Sequence, residues 1–279
     1  GFGFILSSLT LIFYIISAVE PERLRSEPEF ENFKGIIKYN YKITFANLKE
    51  LFSKKSLASI LFSVLCAGIA NATLAIWAIF YLNTKITGTD SDLLATTIYV
   101  LAGSGSLPGT IIGGKLGDRY FNTGRLKGRA LISILGLVSG ILFIMAFYLL
   151  PFSSETTVQT VLSWIFFLFV GYFGFFLTAF PVGNQFAIYS EVSLPEVRST
   201  ANAMNGLMVN IGGIIGNLLI SSLIERNISL LPFAIFLVLI IWLGGALFWI
   251  FPYFYYPKEA KECREILISR RKELDTTSK

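Results

Sequence analysis

Histidine is absent from the 279 residues, and cysteine occurs only twice. Without histidine there is no imidazole metal site, no His-based proton relay and no Ser-His-Asp or Cys-His catalysis. Cys66 lies inside an apolar run and Cys263 in a polar C-terminal stretch, so the pair makes neither a disulfide framework nor a metal-ligand spacing. Charge is scarce as well: 15% of residues are Asp, Glu, Lys or Arg, against about a quarter in a soluble domain. Nucleotide loops are missing too. Gly109 to Lys115 approaches a phosphate loop, but Leu116 stands where Ser or Thr is required, and Gly103-Ser104-Gly105 is a remnant of a dinucleotide fingerprint. No catalytic residue, metal, cofactor or nucleic-acid partner is expected.

What is present is hydrocarbon. Apolar residues make up 54% of the chain, with 26 phenylalanines, and they fall into runs near the roughly 20 residues that a helix needs to cross a bilayer. The chain reads as an all-α, polytopic membrane bundle. Seven spans are expected, at 1–18, 56–82, 93–116, 129–150, 157–182, 200–224 and 229–254. Lys and Arg in alternate linkers (20–55, 115–129, 183–199 and the tail from 257) number 21, against 2 in the others, Lys85 and Arg226. Cytoplasmic loops concentrate these residues, which puts the 20–55 loop and the C-terminus in the cytoplasm and Gly1 on the far side. The chain opens at Gly1 inside an apolar run, without methionine or the charged start of a secretory signal. The expectation is a fragment with further spans upstream.

The spans differ in kind. The first, fourth and seventh hold almost nothing polar beyond Ser and Thr, which suits peripheral, lipid-facing helices. The third carries Gly105, Gly109 and Gly113 at four-residue spacing, a ridge that admits another helix backbone, with Pro108 as its expected kink. In the sixth, Asn202, Asn205, Gly206, Asn210, Gly212, Gly213, Gly216 and Asn217 share an arc of about 160°. That face serves either interhelical packing or a solute path. Asn71, with Trp77 and Tyr81 further along, is a cavity candidate in the second span. Trp164, Gly171, Phe175 and Thr178 share a face of the aromatic fifth span, suited either to packing or to a lipophilic pocket. The linker 20–55 carries Phe33, Ile36, Tyr41, Phe45, Leu48, Leu51 and Phe52 at helical spacing among lysines, as one or two amphipathic helices on the membrane face would. Ile266 and Leu267 with Arg270, Arg271 and Lys272 suggest a similar tail.

One seam concentrates charge. Gly113 to Arg129, GGKLGDRYFNTGRLKGR, sets one acid and five basic residues between two spans. Gly114-x-x-x-Asp118-Arg119 followed by Gly124-Arg125 resembles the cytoplasmic G-x-x-x-D-R-x-G-R-R loop of major facilitator superfamily transporters, with a longer interval between Arg119 and Gly124. Glu191-Val-Ser-Leu-Pro195-Glu-Val-Arg198-Ser-Thr-Ala201 resembles that family's linker before its eleventh helix. The phrase EPERLRSEPEF after the first span is similar to the spinster-like branch.

The resemblance covers the whole chain. It implies the last span of an N-terminal half (1–18), a cytoplasmic linker (19–55), the six-span C-terminal half (56–256) and a basic tail (257–279). In that family two halves are built from inverted three-helix repeats, with every third helix peripheral. The implied activity is secondary or facilitative transport of a small solute by alternating access. The aromatic fifth span and the spinster-like phrase favour an amphipathic or lipid-like solute. No span carries a charged residue at its middle, where coupling sites usually lie. The implied setting is the plasma membrane, and the implied partners are the solute, the bilayer and a missing N-terminal half.

The seam's chemistry would be electrostatic. Asp118 would receive the N-terminus of a facing helix. Arg119 or Arg125 would pair with Glu191, with Arg198 sharing it, and Gly113 and Gly114 would allow close approach. The competing reading of the seam is topology alone. The competing function is a non-transporting half-length protein that acts as an assembly partner or scaffold.

Overall fold

The computed structural model describes residues 2–17, 44–85, 91–151 and 157–277. Eleven α-helices are described: α1 (Phe2–Ser17), α2 (Phe45–Ser53), α3 (Lys55–Lys85), α4 (Ser91–Gly103), α5 (Ser106–Asn122), α6 (Lys127–Leu149), α7 (Thr157–Thr178), α8 (Phe180–Val192), α9 (Arg198–Arg226), α10 (Leu231–Leu247) and α11 (Ile250–Thr277). They fall into two compact units. In the smaller, residues 1–42 and 264–279, α1 is mostly apolar, with Leu9, Phe13 and Ile16 exposed. The larger, residues 43–263, is the helix bundle. Residues 20–43 of the expected amphipathic linker lie outside the described residues. Its remainder forms α2, whose Leu51 is buried while Phe45 is exposed.

Among the described residues five helical stretches are long and apolar enough to cross a membrane, against the expected seven. The described part of α1 is sixteen residues, about 24 Å of helix against roughly 30 Å of hydrocarbon. The expected third span is divided at Ser104–Gly105 into α4 and α5. Pro108 has no N–H for the Ser104 carbonyl, and that carbonyl instead accepts from Leu107 at 3.2 Å in a tighter turn. Pro181 has the same effect at Ala179, where α7 gives way to α8. The expected linker 115–129 is mostly helical: α5 continues to Asn122, and Arg129 sits in the first turn of α6. The tail, too, is helical, because α11 runs on to Thr277.

Two glycine seams organise the bundle. Along α5, a Cβ on Gly105, Gly109, Gly113 or Gly117 would strike Tyr172, Phe176, Phe180 or Asn184 respectively. Both series rise by four, so the helices run parallel in near backbone contact. Along α9, a Cβ on Gly212 would strike the Leu65 carbonyl, and one on Gly216 the Ile69 carbonyl and Thr73 hydroxyl. Gly68 of α3 meets Val209 in the same way. The two seams are equivalent. In one, α5 carries glycines against α7 and α8; in the other, α9 carries glycines against α3. Without a hydrophobic drive between helices in lipid, such close packing supplies the association energy.

The packing also shows which faces stay open. The most apolar window of α3 is 61% buried, while that of α9 is 22% buried. The corresponding windows on α6 and on the α10–α11 stretch, expected at the periphery, are each 44% buried. Within this unit α3 is thus the most buried, as an inner helix would be, whereas α9, also expected inside, is the least buried, because it meets its neighbours along one edge.

Both ends of the bundle are tied by helix capping. The first N–H groups of α3 have no partners inside the helix. Glu259 of α11 accepts from Lys55 N at 2.7 Å and from Ser56 N at 3.2 Å. Lys54 pairs with Glu262 at 3.3 Å. At the opposite end, Lys85 reaches the carbonyls of Tyr148 and Leu150, placing a cation where the α6 dipole favours one.

Candidate functional site

The charged seam folds around Arg129. This arginine stands in the first turn of α6 and is 6% exposed. A guanidinium so far from water needs anionic partners. Its Nη2 donates to Asp118 Oδ1 at 2.9 Å, and its Nη1 pairs with Glu191 Oε1. The other Glu191 oxygen accepts from the Tyr256 hydroxyl of α11. The Phe121 ring lies beneath the guanidinium, 4.2 Å from its centre to the ring centroid, a cation–π contact. Arg129 Nε, also buried, has no hydrogen-bond partner among the described residues. Four helices, α5, α6, α8 and α11, therefore meet on one cation.

Each charge opposes the dipole of its own helix. Arg129 sits at the positive N-terminal end of α6, while Asp118 and Glu191 lie near the negative C-terminal ends of α5 and α8. Each such placement costs about 0.3–1 kcal/mol at an exposed helix end. The cluster is sustained by its mutual pairing, with little support from the helices that carry it. The partners also differ in worth. The Asp118 side chain is 61% exposed and that of Glu191 is 26% exposed. Solvent screens the first pair to about a kcal/mol or less, so Glu191 is the stronger anchor.

Glycine makes room for this arrangement. A Cβ on Gly117 would meet the Asn184 amide oxygen and come within 3.2 Å of Arg129 Cγ. Asn184, 1% exposed, donates to Gly113 O at 3.1 Å and to Phe180 O at 3.0 Å. It ties α8 to the backbone of the glycine seam in α5. Gly114 differs from Gly113, since a Cβ there would meet nothing within 4 Å.

The pairing departs from the expected one. Neither Arg119 nor Arg125 forms an ion pair among the described residues. Glu191 is held by Arg129 and Tyr256, and Arg198 donates from Nε to the Ser193 carbonyl at 3.2 Å. Arg129, Asn184 and Tyr256 were not singled out from sequence. For Arg129 a signal existed: a cation abutting an apolar run directly after Gly128. For Tyr256 and Asn184 no local pattern marks the role.

The cavity candidates differ in burial. Asn205 is 8% exposed and accepts from the Tyr189 hydroxyl at 3.1 Å. Tyr81 is buried beside Lys85 and Tyr148. The Thr178 hydroxyl bonds the carbonyl of Gly174 at 3.0 Å, and Phe175 stands edge-on to Tyr99 at 5.8 Å. Trp77 and Trp164 are half-buried, whereas Asn71 on α3 and Asn202 and Asn210 on α9 are exposed. Gly212 and Gly216 are spent on the α3 seam, as Gly105 and Gly109 are on the α7 seam. Among the described residues no Cys, Asp and Glu cluster could hold a metal.

Comparison with known proteins places these features. Among curated protein sequences none matches the chain. A crystal structure of a bacterial homolog to the human lysosomal transporter Spinster, inward-facing and unoccupied, is similar at 16% identity with a TM-score of 0.49. The similarity covers 92% of this chain, which spans 57% of that structure's length. The family model of the Major Facilitator Superfamily matches residues 1–217, and the chain belongs to that superfamily of membrane transporters, which are not enzymes.

Proposed function

We propose that this chain supplies the second half of a secondary or facilitative transporter that moves a small solute by alternating access. The observation that carries this reading is the Arg129 cluster, a paired charge group at the basic end of the bundle that opposes the dipoles of all three helices bearing it. Such a group suits a latch, since it holds when paired and is readily lost when one partner moves. Gly114 and Asp118 lie four residues apart on one face of α5. The first has nothing near its Cβ position, and the second is largely exposed. This face would meet the other half, with Asp118 against a helix N-terminus.

In this reading α4 and α5 cross the membrane as one broken span and α1 is the last span of the preceding half. The segment 56–256 is then the six-span half. The 20–55 loop and the tail face the cytoplasm, by the excess of Lys and Arg there, with the plasma membrane as the setting. Asn71, Asn202 and Asn210 line the solute path. The aromatic α7 and the spinster-like phrase at 20–30, which lies outside the described residues, favour an amphipathic or lipid-like solute.

The test is flux. The full-length protein in proteoliposomes should take up a member of an amphipathic solute panel saturably, and Asp118→Asn should slow that uptake while inserting normally. Folded protein that passes no amphipathic solute, sugar or amino acid would favour the scaffold instead.

A further inference from the structure

A second charged site lies beside the Arg129 cluster and takes no part in it. Where α5 turns into α6, a cavity of about 590 Å³ opens, within the usual size for a small-ligand site. Arg125, Lys127 and Lys261 line it together with Tyr120 and Tyr253, and no acidic residue does. None of the three cations forms an ion pair among the described residues. Lys127 instead stands over the Tyr253 ring at 5.1 Å. Three unneutralised cations around one concavity repel each other, and they are stable together when an anion joins them.

The anion's source follows from the cavity's surroundings. Leu131 forms part of the lining and is 38% exposed, and Leu135, one turn further along α6, is 59% exposed. Phe254, next to Tyr253 on α11, is 61% exposed. A polar, cationic mouth therefore continues into an apolar flank on membrane-spanning helices. Tyrosines mark the level of the headgroups in such proteins, and basic pockets between spans at that level accept lipid phosphates.

We propose that this cavity is a binding site for the phosphate of an anionic phospholipid, whose acyl chains lie along the exposed flank of α6 and α11. The site binds independently of any transported solute. It links the α5–α6 turn, next to Arg129, to α11.

The test uses the full-length protein in an uncharged maltoside, titrated with short-chain phosphatidylglycerol, short-chain phosphatidylcholine and inorganic phosphate, with bound ligand counted by native mass spectrometry. Phosphatidylglycerol should bind at least about tenfold tighter than the other two probes. Replacing Arg125, Lys127 and Lys261 together by Gln should weaken it about a hundredfold, or roughly fivefold for each single change. Lys49→Gln, Lys115→Gln and Lys272→Gln combined remove equal charge elsewhere and should leave binding unchanged. If the cavity triple variant does not fold, the single variants decide the matter. The proposal is overturned by undiminished binding in the cavity variants or by an equal loss in the control. It is overturned also if inorganic phosphate binds as tightly as the lipid, which would make this a soluble-anion site.

Discussion

Replacing Gly109 by Ala should destabilise the bundle, although alanine is the better helix former. The added Cβ would strike the Phe176 carbonyl oxygen and lie 2.8 Å from its carbon and 3.0 Å from Phe176 Cα. These are backbone atoms and cannot swing aside as a side chain would. Ordinary contact begins near 3.4 Å, so the helices must part by about 1 Å, and a gap of that size forfeits a quarter to a half of each dispersion contact it opens. Overpacking of this kind costs about 1–3 kcal/mol, and parting at Gly109 also loosens Gly105 and Gly113. The gain in helix propensity returns about 1 kcal/mol. The net expectation is a loss of up to about 2 kcal/mol. Gly244 is the control, because a Cβ there would meet nothing within 4 Å, and Gly244→Ala should be neutral or stabilising by up to about 1 kcal/mol. Reversible unfolding by dodecyl sulfate in mixed maltoside micelles measures both variants. If Gly109→Ala is as well tolerated as Gly244→Ala, the seam is not the close contact described.

Two further substitutions separate strong anchors from weak ones. Glu191→Gln removes the better-buried partner of Arg129 and sets an amide against two donors, and should cost about 2–3 kcal/mol in the same assay. Asp118→Asn, at 61% side-chain exposure, should cost about 1 kcal/mol or less, and a reversed order would contradict the assignment. Glu259→Ala leaves the Lys55 and Ser56 amides uncapped, for a loss of about 1–2 kcal/mol. Hydrogen exchange should then quicken in the first turn of α3 and not in α10.

How much was legible depended on whether a feature is local in sequence. The Gly105, Gly109 and Gly113 ridge was legible because helical spacing alone writes it. Its partner was not, because the seam presses on the backbone of Tyr172 and Phe176, and a backbone carries no sequence signature. The Asn face of α9 was legible as one arc. Which edge of it packs on α3 and which stays open depends on a helix more than a hundred residues away. Asp118 and Glu191 stood out as acids at span ends, which the excess of basic residues there does not explain. Arg129 was absorbed into that excess, because the sequence does not state that α5 runs on to Asn122 and leaves only a short turn before α6. Pro108 announced a kink but not its consequence, that neither fragment would qualify as a span.

The latch itself is tested by covering and uncovering its face. Lys115 is exposed and lies three residues before Asp118 on α5, while the native Cys66 and Cys263 are both buried. In the full-length protein, Lys115→Cys should react slowly with a membrane-impermeant maleimide while the latch is closed. Adding Asp118→Asn removes the Arg129 pair and the facing-helix contact, together worth about 1.4 kcal/mol, so labelling should accelerate about tenfold. An unchanged rate at Lys115→Cys would contradict the account.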